Sequence, residues 1–229
     1  MRVQGLPWGK YPLLIDLIVL FPIWLFLLFL RRDLVREILI TSLVFGICGP
    51  LSEILYHSDY WKPQLFNGWS IGIEDFLFGF FIGGIASVIY SVLFRKHLKK
   101  KRGGLNYFIV LLTIFIFVTT SSLLFTIGIN SIYSTSLAMI ITGIFISFKR
   151  KDLFVDSVIS GICMGFIFLV MYFIFLSFYP DAIHNWWLIN NISGIFFWKI
   201  PIEELLWALS LGIMVGPIYE FLTDEVLNK

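Results

Sequence analysis

Charge is scarce in this chain: only 14% of its 229 residues are Asp, Glu, Lys or Arg, against 59% hydrophobic and 18% aromatic, and mean hydropathy is +0.90. A soluble domain of this length cannot carry such a composition, so the class is a polytopic membrane protein. The three histidines, His57, His97 and His184, are scattered, with no His-x-x-His or His-x-x-x-His spacing, so no metal site is expected. The two cysteines, Cys48 and Cys163, fall inside apolar runs, where small buried thiols are expected rather than a disulfide. No Gly-x-Gly-x-x-Gly follows a strand, which argues against a soluble flavin-dependent enzyme. The last apolar run contains no lysine, so an opsin-like protein lacks its Schiff-base residue. A membrane endopeptidase built on a Glu-Glu motif needs histidines within its spans, and here they sit in loops. The N-terminus lacks a charged segment followed by a short apolar stretch and a small-residue cleavage site; Pro7, Trp8 and Pro12 interrupt it, and the first span is expected to be retained.

What the chain does have is length of apolar run. Seven runs are long enough to cross a bilayer as helix, about Leu13–Leu30, Leu34–Tyr56, Ile71–Phe94, Leu105–Phe125, Ile129–Phe148, Leu153–Tyr179 and Ile200–Leu222. With seven spans, thirteen of the 17 Lys and Arg fall on one side: Arg31, Arg32, Arg36, the run from Arg95 to Arg102, Lys149, Arg150, Lys151 and Lys229. Arg2, Lys10, Lys62 and Lys199 are left for the other. The positive-inside rule then puts the N-terminus out and the C-terminus in. Topology accounts for the basic loop Arg95–Arg102, so no nucleic acid is expected as a partner. Trp61, Trp69, Trp186, Trp187 and Trp198 land on the outer side, as an interfacial aromatic belt would.

The sequence also repeats itself. Trp69-Ser-Ile-Gly-Ile-Glu74-Asp75 aligns without a gap on Trp198-Lys-Ile-Pro-Ile-Glu203-Glu204, through Gly83 and Gly212 to Tyr90 and Tyr219. Arg31-Arg-Asp-Leu34 echoes Arg150-Lys-Asp-Leu153, and Gly46-Ile-Cys48 echoes Gly161-Ile-Cys163. The expected fold is therefore all-α, with two three-helix repeats of the same orientation: residues 1–104, a connecting span 105–128, and residues 129–229. Both acidic pairs begin a span on the outer side. Like halves facing each other would bring Glu74-Asp75 and Glu203-Glu204 toward one cavity, with one carboxyl of each pair facing it and the other a neighbouring helix.

A carboxyl near a bilayer's apolar core calls for a reason. One reading makes the pairs helix-start caps. The other makes them proton-transfer groups, since desolvation disfavours the charged form of an acid that lacks a cation partner. Duplication of the pair in register with its flanking Trp, Ile and Tyr favours the second. Glu53 and Asp16 lie within spans but have no repeat partner, and Glu220, near the inner end of the last span, is expected at the interface. The pairs Gly79/Gly83, Gly161/Gly165 and Gly212/Gly216 are small-xxx-small spacings for close helix packing. A proton-coupled transporter also fits intramembrane acids in a repeat protein.

Pro-Ile-Glu-Glu-Leu-Leu-Trp at Pro201–Trp207, with Trp187 and Asn191-Ile-Ser-Gly194 upstream, resembles the signature of the integral-membrane lycopene cyclases of archaea, actinobacteria and fungi, whose three-span repeats each carry a Pro-x-Glu-Glu motif. The first repeat departs from it, with Gly72 in place of the proline and Asp75 as the second acid. The resemblance implies cofactor-independent, redox-neutral cyclisation at the ψ ends of lycopene or a related isoprenoid, in a prokaryotic cytoplasmic membrane. It implies one of Glu203 and Glu204 as proton donor and the facing Glu74 or Asp75 as base. Trp207 and its repeat mate Phe78 would either stabilise positive charge or serve as bulky packing residues, with Glu53 adding to the substrate cavity. The partners implied are a lipid-soluble carotenoid or isoprenoid and membrane lipids, with a homo-oligomer open. A carotenoid-binding or hydratase relative would carry the same residues.

Overall fold

A computed structural model describes residues 11, 13–66, 68–100 and 105–228. Arg2, Lys10, Lys101, Arg102 and Lys229, which enter the charge argument, lie outside them, as do Pro7, Trp8 and Pro12. The chain is all-helical and polytopic. Six long helices are α1 (Leu13–Leu30), α2 (Val35–Asp59), α3 (Ile73–Leu93), α4 (Tyr107–Thr126), α5 (Ser131–Lys149) and α6 (Phe154–Phe178). A short α7 (Ala182–Trp186) follows, and the seventh span is α8 (Ile202–Val215) continued by α9 (Ile218–Thr223). The break falls at Gly216-Pro217, where proline lacks the N–H that a continuous helix would use.

α3 lies against α1 and α2, α8 lies against α5 and α6, and the two groups meet where α3 touches α6 and α8; α4 packs on α5. Glycines allow the close approach that holds these pairs. A Cβ on Gly83 would come within 3.0 Å of the Thr41 carbonyl oxygen, and one on Gly212 within 2.7 Å of the Gly161 Cα.

At the basic end, each half opens its second long helix with the same fork. Arg31 donates from Nε and Nη2 to Asp33 (2.9 and 2.8 Å), from Nη1 to the Ser91 carbonyl (2.6 Å) and from Nη2 to the Lys96 carbonyl. Arg150 donates to Asp152 (2.9 and 2.6 Å), to the Glu220 and Glu225 carbonyls (3.5 and 3.0 Å) and to Asp224 (3.2 Å). These forks tie the start of α2 to the end of α3 and the start of α6 to α9. Two short strands, β1 (His97–Lys100) and β4 (Glu225–Asn228), pair antiparallel beside them, with His97 opposite Asn228 and Lys100 opposite Glu225.

Glu220, near the end of the seventh span, is fully buried within the protein. One expectation about the aromatic residues fails: Trp187 is not part of an aromatic belt. It is 5% exposed and packs inward against Tyr172 and Phe175, whereas Trp69 and Trp198, 77% and 76% exposed, face outward.

Candidate active site

At the other end of the bundle two loops close over the helix ends. The backbones of Lys62 and Trp186, and of Leu188 and Tyr60, hydrogen bond (2.7 and 2.8 Å), and the Trp61 and Trp187 rings pack 5.2 Å apart. The second loop ends in a hairpin of β2 (Phe196–Phe197) and β3 (Ile200–Pro201). Its two turn residues, Trp198 and Lys199, both have positive φ (50° and 72°), the backbone a tight antiparallel hairpin demands and one that costs energy for residues other than glycine. That turn delivers Pro201 as N-cap of α8 and starts the helix directly beneath the loops.

The two acidic pairs then diverge in use. In the first, the Gly72 N–H donates to Asp75 Oδ2 (2.7 Å), and Glu74 Oε1 accepts from the Phe66 N–H (2.6 Å). Asp75 thus serves as a helix-start cap. In the second, Pro201 stands where Gly72 stood and has no N–H to offer, so Glu204 is not drawn back to its own helix start. Its Oε1 accepts instead from the Tyr60 hydroxyl (2.5 Å) and the Trp187 indole (2.7 Å), and Tyr172 lies within electrostatic reach of the same carboxyl. Burial, and next the Glu204 charge, push the Tyr60 phenol well above its ordinary value, so it stays a donor. Glu203 turns the other way, accepting from the Tyr133 hydroxyl (2.5 Å) and the Ser193 N–H (2.8 Å) and so pinning the loop before the motif.

Glu204 therefore has different company from that expected. Asp16 on α1 and Glu53 on α2 both lie within electrostatic reach of it, and Glu53 also of Asp75. Both are buried; Glu53 accepts from the Trp61 indole (3.1 and 3.3 Å), and Asp16 Oδ1 has no hydrogen-bond partner among the described residues. Trp207 and Phe78 stack on each other, ring centroids 6.4 Å apart, and Phe168 closes on both (5.7 and 6.0 Å). The Trp207 indole donates to the Tyr56 hydroxyl and that to Thr135 Oγ1, each at 2.8 Å. The structure thus gathers Glu204, Asp75, Glu53, Trp207 and Phe78 at the seam between the halves and turns Glu203 and Glu74 toward loop backbone. Tyr60, Tyr172 and Asp16 join the site without having been singled out for it. Asp16 is marked in the sequence only as a charge within an apolar run, and the tyrosines by nothing.

These features define a membrane-spanning helical protein with a buried, aromatic-walled carboxyl cluster at one end. Residues 130–222 match the family model described as Lycopene cyclase. The match covers the second acidic pair but not the first. No curated protein and no solved structure matches the chain.

Proposed function

We propose that the protein closes a ring at the ψ end of lycopene or a related isoprenoid, with Glu204 as the carboxyl that exchanges a proton with the substrate. The observation that carries this is Glu204 itself: buried, held by Tyr60 and Trp187 instead of capping its helix, and on the same helix as Trp207 of the Trp207–Phe78–Phe168 wall. Cyclisation is redox-neutral. One carboxyl gives its proton to a terminal double bond, the resulting cation is attacked by the next double bond, and a second carboxyl takes a proton from the closed ring. Glu204 is one of the two groups. Glu53, across the cluster, supplies the other. The aromatic faces stabilise the passing cation, and the zipped loops keep water from capturing it.

We also read the chain as two three-span repeats, 1–104 and 129–229, around the connecting span 105–128. The matching Arg forks and the meeting of the repeat mates Phe78 and Trp207 support that reading. Under it, Gly72 makes the first motif structural and leaves the chemistry to the second.

The test is carotenoid analysis by chromatography in a lycopene-accumulating host, comparing the unaltered chain with a Glu203→Gln, Glu204→Gln double variant. Cyclic products from the unaltered chain alone are expected. Unchanged lycopene with the protein present in the membrane would refute the assignment. A second substitution probes the hydrogen bonds: Tyr60→Phe removes one donor to Glu204, and a bond to a charged group contributes about 1.5–3 kcal/mol. The initial rate of ring formation should fall roughly 10- to 100-fold. A rate equal to that of the unaltered chain would remove Tyr60 from the site.

A further inference from the structure

We infer that Glu37 on α2, Asp156 on α6 and Glu220 on α9 form a proton-binding site at the basic end of the bundle, separate from the candidate active site. All three are buried, with relative exposures of 0%, 1% and 0%. They lie within electrostatic reach of one another: Glu37 senses both Glu220 and Asp156, and Glu220 senses Asp156. Both oxygens of Glu37, both of Glu220 and Oδ2 of Asp156 lack a hydrogen-bond partner among the described residues; only Asp156 Oδ1 has one, the Ser160 hydroxyl at 2.9 Å. Buried polar atoms are costly when unsatisfied, so something must serve these five.

The neighbouring cations are already engaged. Arg31 spends its donors on Asp33 and on the Ser91 and Lys96 carbonyls, and Arg150 on Asp152, Asp224 and the Glu220 and Glu225 carbonyls. The other ionisable groups facing the cluster are Arg36 on α2, Tyr90 on α3, Tyr219 on α9 and Glu225 on β4. None hydrogen bonds to the free oxygens. Among the described residues, no three Asp, Glu, His or Cys side chains are arranged to hold a metal ion. A proton carried by a carboxyl of the cluster removes a buried charge and turns one orphaned acceptor into a donor. The packing around the site is tight: Ser157 Oγ donates to the Ile213 carbonyl (2.7 Å), joining α6 to α8 just before the Gly216-Pro217 break.

The inference does not rest on the cyclase reading, and two measurements on the full chain in lipid nanodiscs test it. Infrared spectra at neutral pH should show a protonated-carboxyl carbonyl band, part of which disappears in a Glu37→Gln, Glu220→Gln variant but survives in Glu204→Gln. A band undiminished in the double variant would overturn the site. Second, protons held by the folded state and released on unfolding make the folded state less stable as pH rises. Each such proton steepens the unfolding constant by roughly tenfold per pH unit, and Asp156→Asn should flatten that slope relative to the unaltered chain. Equal slopes would refute proton binding, as would stability that tracks sodium or calcium concentration and ignores pH. If the double variant fails to fold, the slope of Asp156→Asn against that of the unaltered chain decides the matter.

Discussion

Glu204→Gln is expected to abolish ring formation, lowering the initial rate by about 10² to 10⁴, the usual contribution of a positioned proton-transfer group. Glutamine keeps the shape and still accepts from Tyr60 and Trp187, so the fold should survive while the exchangeable proton is lost. Glu203→Gln should behave otherwise. Its carboxyl serves the Tyr133 hydroxyl and the Ser193 N–H, outside the aromatic wall, so the variant should keep most of its activity and lose mainly the order of the loop before the motif. Chromatographic rates at equal membrane levels of the two single variants separate the roles. If Glu203→Gln proved the inactive one, the assignment of Glu204 would be wrong.

The second large effect lies in packing. Gly212 faces α6 so closely that an added methyl would press on the Ser160 carbonyl and come within 2.7 Å of the Gly161 Cα; backbone on both sides leaves nothing that can swing away. Gly212→Ala must therefore push α6 and α8 apart, at a cost of about 1–3 kcal/mol. Gly165, elsewhere on α6, makes the contrast: its nearest neighbour would be Leu209 Cβ at 3.9 Å, an ordinary contact. Gly165→Ala should be neutral or stabilise by up to about 1 kcal/mol through helix propensity. Denaturant unfolding in micelles, following helical circular dichroism, compares the pair. A Gly212→Ala variant as stable as its Gly165→Ala counterpart would refute the packing account.

Apolar length alone marks the spans: the run Leu13–Leu30 is α1 to the residue, because nothing but membrane thickness and a flanking arginine pair sets its ends. The last run, Ile200–Leu222, reads as one helix for the same reason. Hydropathy does not register that Pro217 removes a backbone donor in its middle. Which member of an acidic pair faces the site is beyond such reading too. Adjacent residues differ by about 100° around a helix, and the choice between Glu203 and Glu204 is made by Tyr60 and Trp187, far away in the chain. The second motif was still legible as special, since Pro201 against Gly72 is a difference of one hydrogen-bond donor. Glu37, Asp156 and Glu220 show the opposite case. No spacing connects them, and only the packing of α2, α6 and α9 makes them neighbours.

The pairing of β1 with β4 bears on how the protein is made. β1 emerges from the ribosome soon after α3, but its partner strand is translated only after four further spans have been inserted. Until then, β1's backbone edge has no partner strand, so closure of the ribbon is a late event that waits on translation of the second acidic motif and the helix it opens.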